Sequence, residues 1–252
     1  MPFHLHKWYL DCVGPSGETA IVYSARLRWG LLDLNYGALI LGGPRAAPTQ
    51  RQAWRCSPPG IEEGVLRWED PGLDAEGTWE AIIPGEVCSL HEGIRWRCLQ
   101  PGGDARLRLP SGQTLRGRGY AEELWLDLPP WRLPFRELRW GRFVPDEGAG
   151  ALAWIQWREG LERGWCFREG VEVPLESCDG EGVAFPGGRL SILPGAKLRE
   201  GFPLRHLLGW ASALCPGRLR RLHEDKELAR GRLEGNGAVR EGWVIHETVR
   251  LG

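Results

Sequence analysis

Short apolar runs with alternating polar positions, separated by glycine and proline, recur along nearly the whole chain, and this period of two predicts strands. In the first half the expected strands cover residues 8–13, 20–29, 32–41, 53–56, 65–69, 78–83, 94–99, 105–109 and 120–124. Turns fall at Pro15-Ser16-Gly17 and Gly42-Gly43-Pro44, and Pro129-Pro130 closes the series with a pair that neither a helix nor a central strand tolerates. Beyond it the pattern resumes at 138–143, 151–158, 164–169, 171–176, 189–193 and 239–249. A short helix is expected at 204–213, against which Gly209 and the following Pro216-Gly217 weigh, while 219–228 fits a helix or a β-hairpin equally. Thirty-six glycines and 19 prolines at this spacing favour an antiparallel barrel or sandwich over βαβ units, whose crossover helices need longer uninterrupted patterns.

Composition sharpens this reading. Many of the 14 tryptophans sit beside arginine, as in Arg28-Trp29, Arg67-Trp68, Arg95-Trp96-Arg97, Arg139-Trp140 and Trp157-Arg158. On a strand, neighbours face opposite ways, so such pairs put an indole in a packed interior and a guanidinium in water. Arginine and tryptophan also suit nucleic acid, but 32 basic against 33 acidic residues leave a net charge of -1 and no basic footprint. The 252 residues suffice for one large β domain or two smaller ones. Seven dispersed cysteines without a C-x-x-C pair read as reduced thiols of a cytoplasmic protein. The first nine residues carry no long apolar segment before a cleavage site, and no run approaches membrane-spanning length. Neither a signal peptide nor an integral membrane protein is therefore expected, and peripheral membrane contact is left open.

An internal echo points to two related halves. Leu115 to Glu123 and Val239 to Glu247 each contain an arginine, a glycine directly before an aromatic residue, and a closing glutamate. This is compatible with duplicated barrel-closing strands.

The segment from Gly117 to Pro134 combines two adjacent carboxylates with a dense aromatic setting. Alternation puts Tyr120, Glu122 and Leu124 on one strand face and Ala121, Glu123 and Trp125 on the other, so the two glutamates diverge. Glu122 is the leading candidate acid, because a carboxyl group held among aromatic rings keeps its proton for donation to an alkene, enol ether or carbonyl. Tyr120 would orient or share that proton. The competing account makes Glu122 a solvent-facing residue or a partner of Arg118. In the opposite phase, Glu123 and Trp125 form the interior pair. Trp125, Trp131, Trp140 and Trp243 would shape an apolar cavity or stabilise a carbocation, although each also fits ordinary core packing. His246 and Glu247 would supply a base and its charge partner if the last strand returned to the pocket, but adjacent strand residues diverge. His4 and His6 share a face, with a mobile terminus as the simpler account. No local ligand cluster supports a metal site, no G-x-G-x-x-G cradle appears, and no serine sits on a nucleophile elbow. Cofactor-independent chemistry, with no metal, is the least demanding reading.

The run from Gly117 to Trp140, with Lys7-Trp8-Tyr9-Leu10-Asp11, Arg26-Leu27-Arg28-Trp29-Gly30 and the final Gly242-Trp243-Val244-Ile245-His246-Glu247, resembles the lipocalin superfamily of tocopherol-cyclase-like, carotenoid-hydratase-like and AttH-type proteins. The resemblance implies an all-β fold of two lipocalin-like antiparallel barrels or barrel-like domains side by side, here 1–128 and 129–252. It also implies enzymes that hydrate, cyclise or rearrange apolar molecules. The hydratase-like motif carries an aromatic residue, then an acid and a histidine; Glu123 stands where that histidine is expected, a departure from the pattern. The reading that results is acid-catalysed cyclisation, isomerisation or hydration of a bulky apolar molecule. Its rivals are a noncatalytic carrier of a hydrophobic ligand and a β-rich interaction module.

Overall fold

The structure, a computed structural model, describes residues 2–81, 85–201, 217–235 and 237–252. The chain divides into two compact units, Met1–Pro129 and Pro130–Gly252. The first holds β1 (Phe3–Val13), β2 (Thr19–Trp29), β3 (Leu32–Gly43), β4 (Ala46–Trp54), β5 (Gly60–Glu62), β6 (Val65–Asp70), β7 (Ala75–Trp79), β8 (Cys88–His91), β9 (Ile94–Arg108) and β10 (Thr114–Leu126). The second holds β11 (Glu137–Pro145), β12 (Leu152–Arg158), β13 (Arg163–Arg168), β14 (Val171–Val173), β15 (Ser177–Cys178), β16 (Gly182–Phe185), β17 (Gly188–Ile192), β18 (Ala196–Gly201), β19 (His223–Gly235) and β20 (Ala238–Arg250). A short helix, α1, covers Gly217–Arg220, and a single 3-10 turn covers Pro130–Arg132.

Each unit is one antiparallel sheet. The first runs β4-β3-β2-β1-β10-β9-β7-β6-β5 with β8 also on β9; the second runs β14-β13-β12-β11-β20-β19-β17-β16-β15 with β18 also on β19. Adding ten to every strand of the first order reproduces the second. The echoed segments fall on β10 and β20, which hold equivalent places, each between the first and the ninth strand of its unit. Their glycine before the aromatic also has an equivalent partner: Gly119 faces Gly103, and Gly242 faces Gly231.

The first sheet is a curled half-barrel. Its interior gathers Trp8, Leu10, Leu39, Leu66, Trp68, Trp79, Leu99, Leu107 and Ala121 from strands across the whole path. The curl brings β4 near the turn after β6, where Arg51 donates from Nη1 to the Leu73 carbonyl at 3.4 Å. Trp79 is fully buried, and its Nε1 donates to the Asp11 carbonyl at 2.7 Å, so its one polar atom is satisfied in the core. The second unit is an open antiparallel sheet with Phe143, Leu152, Trp154, Val183, Leu190 and Val244 in its core. Alternation sorts arginine from tryptophan as the pattern requires: Trp68, Trp96 and Trp157 are buried, while Arg67, Arg95 and Arg158 are exposed. Trp29 and Arg142 break the rule, one exposed and the other buried.

Several expectations change. His4 and His6 lie within β1 and not in a mobile terminus, since the strand begins at Phe3. Residues 219–228 contribute to α1 and to the start of β19, which pairs along its length with β20. The helix expected at 204–213 lies outside the described residues.

Candidate active site

β10 is shaped for close approach around the candidate acid. A Cβ on Gly119 would stand 2.5 Å from the Ala105 Cβ, 2.8 Å from the Asp11 carbonyl oxygen and 2.8 Å from Trp79 Cδ1. Only glycine lets β10 pass there. The next residues meet irregular register, because β9 slips against β10 between Gly119 and Ala121 and again between Ala121 and Glu122. Bulges of this kind re-aim side chains, and here they bring Cys98 opposite Glu122 and Trp96 opposite Leu124.

Tyr120 and Glu122 share one face of β10, opposite to Ala121 in the half-barrel core. The Tyr120 hydroxyl donates to Glu122 Oε2 at 2.7 Å, and Trp96 Nε1 donates to the same oxygen at 2.7 Å. Tyr120 is fully buried, Glu122 is 8% exposed and Trp96 is 2% exposed. The Tyr9 ring meets Tyr120 edge-on at 6.1 Å and Tyr23 at 5.5 Å, which extends the aromatic setting over β1 and β2. Burial, helped by the neighbouring Glu122 carboxyl, holds the Tyr120 phenol well above its ordinary pKa. Tyr120 is therefore a fixed donor. Since an indole N–H can only donate, Oε2 accepts from Trp96 whether or not Glu122 carries a proton.

Glu123 points the other way and is differently committed. It accepts from Trp8 Nε1 at 2.8 Å and from Arg97 Nη2 and Nε at 2.6 and 3.2 Å. The two adjacent glutamates thus each hold an indole, but Glu123 is the carboxylate of a charge-assisted pair. Trp125 belongs to this second cluster, with His6 stacked on it at 4.9 Å and Arg97 over its ring at 5.5 Å. It lies on the face opposite Glu122 and does not wall the same site. The His6 pKa is lowered to about 4, by burial first and then by His4, Arg97 and Arg95. A histidine depressed in the fold destabilises it where only the unfolded chain takes up the proton. Stability is expected to be full above pH 6.5 and to fall as the pH drops from 6.5 toward 4. His6→Gln removes that component, and melting temperatures across this range check it.

The remaining candidates lie in the second unit. His246 and Glu247 face opposite sides of β20, so they do not form a pair: His246 Nε2 lies 3.9 Å from Glu227, and Glu247 bonds Lys226. Burial lowers the His246 pKa. Trp140 is buried beneath the Lys226 ammonium, 5.2 Å from its ring centre, and Trp243 lies under Arg230 at 4.8 Å. Trp131 sits in the 3-10 turn, where its carbonyl accepts from Arg218 Nη1 at 3.1 Å. Sequence reasoning missed Trp96 and Tyr9 as neighbours of Glu122. Their strands are legible, but the register that joins them is not.

Among the described residues no group of three histidine, cysteine, aspartate or glutamate side chains converges as a metal site. Their six cysteines are free thiols, and burial pushes the Cys56 thiol up to about 12. No described helix is long and apolar enough to cross a membrane. A groove of about 740 Å³ runs along the outside of β6, β7 and β9, lined by Arg67, Glu69, Glu76, Arg106 and Arg108. Its charged lining suits a polar ligand, and it contains neither Tyr120 nor Glu122.

No protein-family model matches the sequence, and no curated protein matches it. Solved structures do match. CghA, solved with Sch210972, aligns over 99% of this chain and 89% of its own at 11% identity, with a TM-score of 0.60. Kievitone hydratase from Nectria haematococca aligns over 98% and 88% at 11% identity, with a TM-score of 0.57. An AttH-type protein from Nitrosomonas europaea aligns over 98% and 92% at 11% identity, with a TM-score of 0.56. At this identity the likeness is one of fold.

Proposed function

We propose that the protein is a cofactor-independent enzyme that protonates a bulky apolar molecule and so cyclises, isomerises or hydrates it. The observation that carries this reading is the buried Tyr120–Glu122–Trp96 cluster. Two neutral donors hold one oxygen of a buried carboxyl group in place for proton donation. Both donors serve either protonation state, since each bonds the carbonyl oxygen of the acid as well as the carboxylate. The surrounding rings of Tyr9, Tyr23 and Trp96 suit an apolar substrate and a cationic intermediate. Kievitone hydratase, whose fold the chain shares, is a hydratase by name. That adds to the reading without assigning the substrate.

A carrier is the second reading, and it uses the same apolar setting without proton transfer. Purification under native conditions, extraction and mass spectrometry identify an apolar molecule held by the protein. Incubating that molecule with fresh protein separates the two accounts. Conversion to a rearranged or hydrated product supports the enzyme. Binding without change overturns it in favour of the carrier.

A further inference from the structure

Among the described residues of the first unit six large apolar side chains are exposed, and four of them, Trp29, Leu31, Leu32 and Trp54, lie toward one corner of its sheet, while Ile61 and Val87 lie elsewhere. Leu31, in the turn joining β2 to β3, is 101% exposed, and Trp29, Leu32 and Trp54 are 44%, 42% and 49% exposed. Trp29 pairs with Leu32 across the hairpin, and Tyr36 pairs with Trp54 on β4. By strand alternation Trp29, Leu32, Tyr36 and Trp54 therefore share one face, with Leu31 projecting from the tip. A hairpin turn is ordinarily polar, because it stands in water. Here Gly30-Leu31 gives the most exposed place to leucine.

The charges at this corner are unbalanced in one direction. Arg26 and Asp33 neutralise each other through a 2.6 Å contact. Arg28 stands opposite the same Asp33 on β3, so two arginines share one carboxylate, and Arg55 adds a further exposed guanidinium group. Arg55 is held beside the hairpin, since its backbone N–H donates to the Asn35 carbonyl at 2.9 Å. Protruding leucines, indoles at their flank and a surplus of guanidinium groups are the composition that seats in a bilayer interface: alkyl groups among the acyl chains, rings at the headgroup boundary, cations on the phosphates.

We propose that the β2–β3 tip, with Trp54 and Arg55, docks on the surface of an anionic lipid bilayer. The same sheet face leads from the tip toward the candidate site. Trp29 lies opposite Phe3, Leu27 opposite Leu5, and Tyr23 opposite Tyr9, which in turn lies opposite Glu122. Six residue steps along β2 separate Trp29 from Tyr23, about 20 Å of strand. An apolar substrate partitions into membranes, and the docked tip gives it a path along this face. That use of the docking rests on the proposed function; the docking itself does not.

Co-sedimentation of the full chain with vesicles tests it, using phosphatidylcholine alone and phosphatidylcholine mixed with phosphatidylglycerol. The wild-type protein is expected to pellet with the mixed vesicles, and Leu31→Glu to weaken partitioning by about tenfold or more. Arg28→Glu with Arg55→Glu is expected to weaken binding to the mixed vesicles and leave the weaker binding to neutral ones unchanged. Leu193→Glu, at an exposed leucine of the second unit, serves as the control and is expected to bind as wild type. Circular dichroism confirms that each variant is folded. Wild-type protein that stays in the supernatant, or Leu31→Glu protein that pellets as wild type does, overturns the proposal. So does a Leu31→Glu variant whose only change is a smaller oligomer in sedimentation velocity, which assigns the tip to self-association. Glu122→Gln protein is expected to pellet normally, so a failure of the acid assignment and a failure of the docking are read separately.

Discussion

Glu122→Gln is expected to reduce turnover by about a hundredfold to ten-thousandfold, the range that a positioned general acid contributes, while leaving the fold intact. The substitution is nearly isosteric. The amide oxygen of glutamine accepts from the Tyr120 hydroxyl and from Trp96 Nε1 as the Glu122 Oε2 does, at the positions now held at 2.7 Å. What the amide lacks is a proton of carboxylic acidity. A loss confined to kcat, with KM and melting temperature little changed, therefore identifies proton donation. A folded, fully active Glu122→Gln protein would reject the acid role, because it would show that holding Tyr120 and Trp96 is all the side chain does. Tyr120→Phe removes one of the two donors and leaves Trp96 in place. Its expected effect is smaller, about tenfold, because the phenol positions the carboxyl group and stays protonated itself. Steady-state kinetics on the copurified molecule check both variants.

How much of this was legible in the sequence depends on what each residue's neighbours are. Alternation places Tyr120 and Glu122 on one face and Glu123 and Trp125 on the other, because that relation is local to one strand. The partners of Glu122 are not local. Trp96 reaches it only through two register slips between β9 and β10, and such slips leave no periodic mark in the sequence. Two of the shortest strands were missed for a related reason. β5 has three residues and β15 has two, too few for a period of two to stand out. β19 was ambiguous because the rule that charges face water fails there. Glu224 and Lys226 are buried on that strand, so its charged positions do not alternate with an apolar core face as solvated ones would. The duplication, by contrast, was visible as one short echo, and the echo falls on the two strands that hold matching places in matching sheets.

That buried lysine sets the second large effect, on stability. Lys226 is fully buried, with its ammonium bonded to Glu247, 4.0 Å from Glu224 Oε1 and over the Trp140 ring. A charge taken out of water is tolerated only where its partners remain, and removing one partner of a buried pair costs about 3–5 kcal/mol. Glu247→Ala is therefore expected to destabilise the protein by about that amount at neutral pH. Chemical denaturation followed by circular dichroism measures it, with the unfolding of the two units resolved where their transitions separate. Lys226→Met combined with Glu247→Leu removes both charges and keeps the volume, and it is expected to recover most of the loss. If the single and double variants were equally unstable, the cost would lie in packing and not in an uncompensated charge. Lys226 and Glu247 stand opposite each other on β19 and β20, with Trp140 opposite Glu247 on β11. The pair therefore joins the three central strands of its sheet, and its loss is expected to reach Trp140 as well, readable as a shift in tryptophan fluorescence before global unfolding.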